Sequence, residues 1–399
     1  MLFSCTRIRR GAAQFTALLA GLLFSALASA QYTFTTFLLP GATGMQGWGI
    51  NSALRVPGNA YGGTAPPDSL VYDFATGTFT PVASPGGGLT ATLIGINNAG
   101  QLAGSYTDGS GVKGVVLTGG VYDTFFYPGG SKTFGRAINN TGLVTGYAET
   151  PAGPAASEGF IYTPATGTYT TIAPVGANFT IAQGVNDAGV VVGSSIMLPG
   201  TVYAGSPGGA YAWVRQASGT LTFFRINGLP SRARGINSAG DIVGWFNDPT
   251  GLVASFKVNV PGLLPYETIT VAPADYIVAP GATQTIAEGI NDAGFISGSV
   301  YDAAGISQGF VAAPPAATLL ADLYELIAGF ALPKGIANSF LVKVQAAADA
   351  VAAGDLKAAC GNLQALINHA EAQSGKKLTV AQANQIIAAA EAIRLSLGC

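Results

Sequence analysis

Arg225, Arg232 and Arg234 fall close together in a chain of 399 residues that holds only 18 lysines and arginines. A guanidinium is a planar fork of donors that matches a carboxylate, and exposed aromatic faces suit sugars. Tyr106, Tyr147, Trp245, Phe246 and Tyr301 supply aromatic faces in the loops expected on the same rim. Arg225, Arg232, Arg234, Trp245 and Tyr147 are therefore the candidate ligand-binding residues. The alternative is that the aromatics pack and the arginines are solvated. Other chemistry is sparse. His369 is the only histidine, and one histidine cannot build a zinc site alone. Without a second one, Cys–His and Ser–His–Asp nucleophile schemes have no base in the rest of the chain. No Asp-rich calcium loop is present, which leaves only scattered loop acids such as Asp108 and Asp248 for a diffuse cation site. The residues thus nominate no catalytic group, no metal site and no cofactor. A glycosidase needs two carboxylates across a pocket, and the acids of the repeats leave that reading open.

Composition narrows what must position these residues. Charged side chains are 10% of the chain, against roughly 25% in ordinary soluble domains. Glycine, at 56 residues, is about twice its usual share. With 49% apolar residues the chain is not disordered by charge. The formal net charge of −2 gives no basic excess for nucleic acid. High glycine, few charges and 10% aromatics point to a turn-rich, mainly β protein.

Residues 1–30 read as an export signal. Arg7, Arg9 and Arg10 precede an apolar run at 15–27, and Ala28-Ser29-Ala30 forms a small-residue cleavage site. A transmembrane anchor is the rival, but the run is short and ends in small residues. No transmembrane segment is expected after its removal, and the localisation expected is extracellular or periplasmic. Cys5 leaves with the signal, so the mature chain keeps Cys360 and Cys399. An even pair in an oxidising compartment favours a disulfide, with two buried free thiols as the alternative.

One pattern then recurs six times: an Ile-Asn or Val-Asn, a turn ending in Gly, and an apolar run ending in Gly. The copies are GINSALRVPG (49–58), GINNAGQLAG (95–104), AINNTGLVTG (137–146), GVNDAGVVVG (184–193), GINSAGDIVG (235–244) and GINDAGFISG (289–298). The anchors Asn51, Asn97, Asn139, Asn186, Asn237 and Asn291 are spaced 42 to 54 residues apart. Such a period suits a four-stranded propeller blade. The anchors read as structural bonds from side chain to backbone, and Asn98, Asp187, Ser238 and Asp292 interchange in one turn slot. The sixth copy lacks a fourth strand, because Pro314-Pro315 stops it. Residues 31–42, QYTFTTFLLPGA, are similar to fourth strands elsewhere, TGTFTPVASPGG (76–87) and TGTYTTIAPVGA (166–177). The expectation is a six-bladed β-propeller over 31–314, closed by its N-terminal strand so that no edge is left open. An open stack of six hairpin units is the rival.

These copies resemble the HAF repeats of bacterial extracellular proteins, over about residues 31–314. The resemblance implies export and repetition, with no defined reaction. The family's His-Ala-Phe strand is altered here to Glu158-Gly159-Phe160, Gly209-Ala210-Tyr211 and Gln308-Gly309-Phe310, so no role of that histidine carries over.

Residues 315–399 change character: Ala, Leu, Lys and Gln rise, and helices are expected at about 318–329, 336–353, 356–373 and 380–396. Thr379 with Gln382 makes a capping box, and Gly398 suits a helix C-cap. A Cys360–Cys399 bond would staple this small domain. LPKGIANSFLVKVQAA, AACGNLQALINHAEAQSGKKLT and the final Gly398-Cys399 resemble the FIMAH domain, over about residues 331–399. That resemblance implies an accessory module on secreted proteins.

The functional expectation is a secreted, non-enzymatic binding or scaffolding protein that contacts an extracellular glycan or a surface protein. The alternative is a polysaccharide-active hydrolase or lyase that uses rim carboxylates.

Overall fold

The computed structural model describes residues 32–62, 69–86, 89–151, 156–260 and 264–399. The export-signal reading of residues 1–30 lies outside them. The chain is mainly β, with four C-terminal helices.

Each repeat forms antiparallel strands because apolar runs alternate with glycine-closed turns. The first unit contains β2 (Gly44–Gly47), β3 (Arg55–Tyr61), β4 (Leu70–Asp73) and β5 (Thr78–Pro81). The second contains β6 (Thr90–Ile96), β7 (Leu102–Asp108), β8 (Gly111–Thr118) and β9 (Val121–Phe125). The third contains β10 (Lys132–Ile138), β11 (Val144–Glu149), β12 (Ser157–Thr163) and β13 (Thr168–Ile172). The fourth contains β14 (Ala177–Val185), β15 (Val191–Met197), β16 (Gly209–Arg215) and β17 (Leu221–Ile226). In each, the turn after the anchoring asparagine needs a left-handed residue, as at Gly142 with φ of 85°.

The last two units depart from this plan. In the fifth, β18 (Ser231–Ile236), β19 (Asp241–Asn247) and β20 (Val253–Asn259) pair in order, but β21 (Tyr266–Ile269) does not fold back on β20. It runs parallel to β17, with Phe223 opposite Tyr266 and Ile226 opposite Ile269. The connection before it reads VPGLLP over 260–265, where the other units have a short glycine-closed turn. In the sixth, β22 (Gln284–Ile290), β23 (Ile296–Tyr301) and β24 (Ser307–Ala313) are completed by β1 (Thr33–Phe37). β1 pairs antiparallel with β24, from Thr33 opposite Ala313 to Phe37 opposite Gly309.

By backbone pairing these strands make four sheets, of seven, nine, four and four strands, and none closes on itself. The two large sheets arise where neighbouring units are stitched by short parallel pairings. One is Ser157 with Phe179, a second is Val253 with Gln284, and the β17–β21 pairing is the third.

Side chains connect all six units. Asn51 donates from Nδ2 to the Asn97 carbonyl at 3.1 Å, Asn97 to Asn139 at 3.0 Å, and Asn139 to Asn186 at 2.9 Å. Asn186 continues to Asn237 at 3.1 Å, Asn237 to Asn291 at 3.3 Å, and Asn291 returns to Asn51 at 3.1 Å. The sequence of six bonds is cyclic. The first and last units also meet directly: Ser299 Oγ donates to the Gly47 carbonyl at 3.3 Å and Ser297 Oγ to the Trp48 carbonyl. The approach is close enough that a Cβ on Gly289 would lie 2.8 Å from the Gly49 Cα.

The helices are α1 (Ala316–Gly329), α2 (Lys334–Ala352), α3 (Leu356–Gln373) and α4 (Val380–Leu397). The Asp355 side chain caps α3 through the Ala358 amide, and Thr379 with Gln382 caps α4 reciprocally. Their apolar stripes meet the first and last repeats in one core: Leu319, Leu323, Phe340 and Leu366 join Met45, Leu70, Phe295 and Val311. Cys360 and Cys399 are joined by a disulfide, with Cα atoms 6.1 Å apart. Among the described residues no helix is long and apolar enough to cross a membrane.

Candidate axial binding site

The segment that ends at each anchoring asparagine contributes four successive residues to a layered arrangement. Counting back from the anchoring asparagines, one residue earlier lie Ile50, Ile96, Ile138, Val185, Ile236 and Ile290. Two earlier lie Gly49, Gly95, Ala137, Gly184, Gly235 and Gly289. Three earlier lie Trp48, Ile94, Arg136, Gln183, Arg234 and Glu288. The outer three layers line a cavity of about 100 Å³. The aliphatic layer also lines a second cavity of about 80 Å³, which holds the asparagines and their turns. A six-membered aliphatic waist thus separates a charged end from an amide end.

The strands aim the charged layer by a repeated irregularity. Pairing skips a residue between Leu93 and Gly95, Gly135 and Ala137, Ala182 and Gly184, Ala233 and Gly235, and Ala287 and Gly289. The skipped residues are Ile94, Arg136, Gln183, Arg234 and Glu288. A β-bulge leaves one residue outside the ladder and re-aims its side chain, here into the cavity. Small residues follow each bulge because the adjacent inner strands nearly touch: a Cβ on Gly95 would meet the Ala137 Cα at 2.8 Å.

Two guanidiniums and one carboxylate meet in this layer. Arg234 Nη1 lies 3.5 Å from Glu288 Oε2, and their side chains are 15% and 11% exposed. Burial pushes the Glu288 carboxyl above its ordinary range, against the pull of Arg234 and Arg136. Burial likewise pushes the Arg234 guanidinium down; Glu288 opposes this, while Arg136 and Arg232 add to it. The lining therefore carries one unbalanced positive charge. The Nε donors of Arg136 and Arg234 are buried and have no hydrogen-bond partner among the described residues. A buried donor without an acceptor is costly, and these two go unmatched in this layer.

Aromatic rings flank both arginines. Arg232 and Arg234 lie 5.1 and 5.9 Å from the Trp245 ring centroid, and Arg232 is the cross-strand partner of Trp245. Arg136 lies 5.4 Å from the Tyr147 centroid, and Tyr147 stacks on Phe134 at 4.6 Å. Trp48 is fixed by its Nε1 donating to Asn59 Oδ1 at 2.7 Å. Cation–π contacts and stacking hold these planar groups in set orientations.

The structure thus gathers Arg232, Arg234 and Trp245, and puts Tyr147 beside Arg136. Arg225 stands apart. It is 4% exposed, donates to the Ala210 and Gly208 carbonyls, and lies 3.8 Å from the Tyr211 centroid. It braces the fourth repeat from within and is not offered to a rim. Arg136, Gln183, Glu288 and Trp48 were missed by the sequence reading. Their signal was the column three residues before each asparagine, the one inner position where the repeat stops repeating.

The remaining candidates have structural partners. The Oδ1 atom of each anchoring asparagine accepts the amide four residues on: Asn51 from Arg55, Asn97 from Gln101, Asn139 from Leu143, Asn186 from Val190, Asn237 from Asp241 and Asn291 from Phe295. Asp187 and Asp292 accept the Asn140 and Ser238 amides of the neighbouring repeat. Asp108 and Asp248 bond within their own loops, to Ser110 and Lys113 and to Thr250. His369 stacks on Phe340 at 4.2 Å, and burial, with Lys343 nearby, lowers its pKa. Among the described residues no group of three or more His, Cys, Asp or Glu is placed to hold a metal ion. Among the described residues Glu288 is the only carboxylate lining the charged cavity, so that cavity does not present the carboxylate pair of a glycosidase. No protein-family model matches the chain, and no curated protein matches it.

Proposed function

We propose that the chain is an exported, non-enzymatic binding module: a six-bladed β-propeller whose charged axial mouth receives an extracellular ligand, with a disulfide-stapled helical tail as accessory domain. The cyclic run of asparagine bonds supports the propeller reading, because six units can each bond the next and return to the first only around an axis. The pairing of β1 with β24 supports closure by the N-terminal strand. The Cys360–Cys399 bond suits an oxidising compartment, as the HAF-like and FIMAH-like motifs do.

The observation that carries the binding reading is the charged column. Glycine, aliphatic and asparagine layers are nearly invariant through the six copies, as a scaffold requires. The next layer alone carries Arg136, Gln183, Arg234 and Glu288, with buried donors left open. Scaffold positions repeat; a recognition position need not.

The test is binding of the purified full chain to a panel of polysaccharides and cell-envelope fractions, beside an Arg136→Ala/Arg234→Ala variant. A saturable ligand lost in the variant supports an axial mouth. Binding that the double variant keeps in full removes the mouth from the reading. Measured turnover of a polysaccharide, abolished by Glu288→Gln, would replace binding with catalysis.

A further inference from the structure

The ligand's chemistry can be narrowed from charge, volume and donor geometry, and this step rests on the binding reading above. A cavity of about 100 Å³ has room for a small polar group such as a carboxylate. The charge balance favours a monoanion: two guanidiniums against Glu288 leave a single positive charge. A dianion such as a phosphate monoester would meet Glu288 with a second negative charge unpaired. The donors are guanidinium N–H groups in planar forks, which match a planar carboxylate. Beyond the cavity, Trp245 and Tyr147 offer half-buried faces beside the same two arginines, where the apolar face of a pyranose packs.

We propose that the axial cavity takes the carboxylate of a uronate residue from an acidic polysaccharide, held between Arg136 and Arg234, with the sugar ring outside against Trp245. Glu288 orients Arg234 and limits the site to one negative charge. Gln183, buried in the same layer, adds a neutral amide to the lining.

The test is calorimetric titration of the full chain with a trigalacturonate, its neutral trigalactose counterpart, inorganic phosphate and an acidic peptide. The uronate should bind one to one and weaken as salt is added. Arg136→Gln and Arg234→Gln should each weaken it roughly 10- to 100-fold, the loss of a charge-assisted hydrogen bond. Glu288→Gln should preserve or tighten uronate binding and admit phosphate, which a merely structural Glu288 would not do. Tryptophan fluorescence confirms folding of each variant. Should Arg234→Gln fail to fold, Arg136→Gln carries the test, since Arg136 makes no ion pair among those found in the described residues. Equal binding of neutral and acidic sugars, insensitive to both arginines, overturns the carboxylate while leaving a sugar-binding module. Arginine-dependent binding of the acidic peptide alone overturns the polysaccharide source. No binding of any probe overturns both this inference and the axial mouth.

Discussion

Asn139 is the place to ask whether the six repeats are held as a ring or merely turn alike. Its side chain donates to the Asn186 carbonyl at 2.9 Å. Its Oδ1 accepts the Thr141 amide at 3.1 Å, the Thr141 hydroxyl at 2.9 Å and the Leu143 amide at 2.9 Å. Asn139→Ala removes all four bonds, and leaves the carbonyl of the buried Asn186 with the Gly189 amide alone, at 3.0 Å. With about 1 kcal/mol net for each of the two turn amides and for the inter-repeat bond, the loss is about 3 kcal/mol. For an unfolding slope of about 3 kcal/mol/M, that lowers the urea midpoint by roughly 1 M. Asn139→Asp separates the two roles. Aspartate keeps the acceptor for the turn, but sets a carboxylate oxygen against the Asn186 carbonyl. It is therefore predicted to cost as much as alanine at neutral pH. Trp48, Trp213 and Trp245 all lie in the β repeats, so urea unfolding followed by tryptophan fluorescence reads this region selectively. If Asn139→Asp stays within about 0.5 kcal/mol of the parent, the inter-repeat bond is idle and the asparagine only forms a turn.

Three further outcomes follow from particular contacts. Arg225→Ala should lower stability by about 2–4 kcal/mol, since two carbonyls and the Tyr211 face lose their partner, while ligand binding by the folded variant is unchanged; urea melts and titration calorimetry read the two effects separately. Reducing the Cys360–Cys399 bond, which closes 39 residues of sequence, should destabilise the helices by roughly 4 kcal/mol, seen as a lower midpoint in circular dichroism at the helical band. The Ser110 hydroxyl, then Lys113 and the Ser110 amide, lower the Asp108 carboxyl from 3.8 to about 2. Its stabilisation is thus complete above 3.8 and lost as pH falls through about 2, so Asp108→Asn should differ from the parent at neutral pH and converge with it in acid.

Much of the architecture was legible because it is written by local chemistry. Gly-Ile-Asn turns mark the inner hairpins, and the helices near 318–329, 336–353, 356–373 and 380–396 fall within two residues of α1 to α4 at each end. QYTFTTFLLPGA was readable as a displaced fourth strand because it shares the Thr-aromatic-Thr pattern of its counterparts. The course of β21 was not readable: only tertiary contact decides that the strand joins β17 and does not fold back on β20. The residues of the charged cavity were half legible. Clustering in sequence drew in Arg225 together with Arg232 and Arg234, but strand alternation sends Arg225 inward. Arg136 and Glu288 are far from Arg234 in sequence and meet it only because bulges in three different repeats face one cavity.

The most direct measurement is a crystal structure of the full chain with a bound oligogalacturonate. The account predicts one carboxylate between the Arg136 and Arg234 guanidiniums, within hydrogen-bond distance of both, and a sugar ring against Trp245. A ligand seated at the asparagine end, or on the outer strands with both arginines untouched, would contradict it.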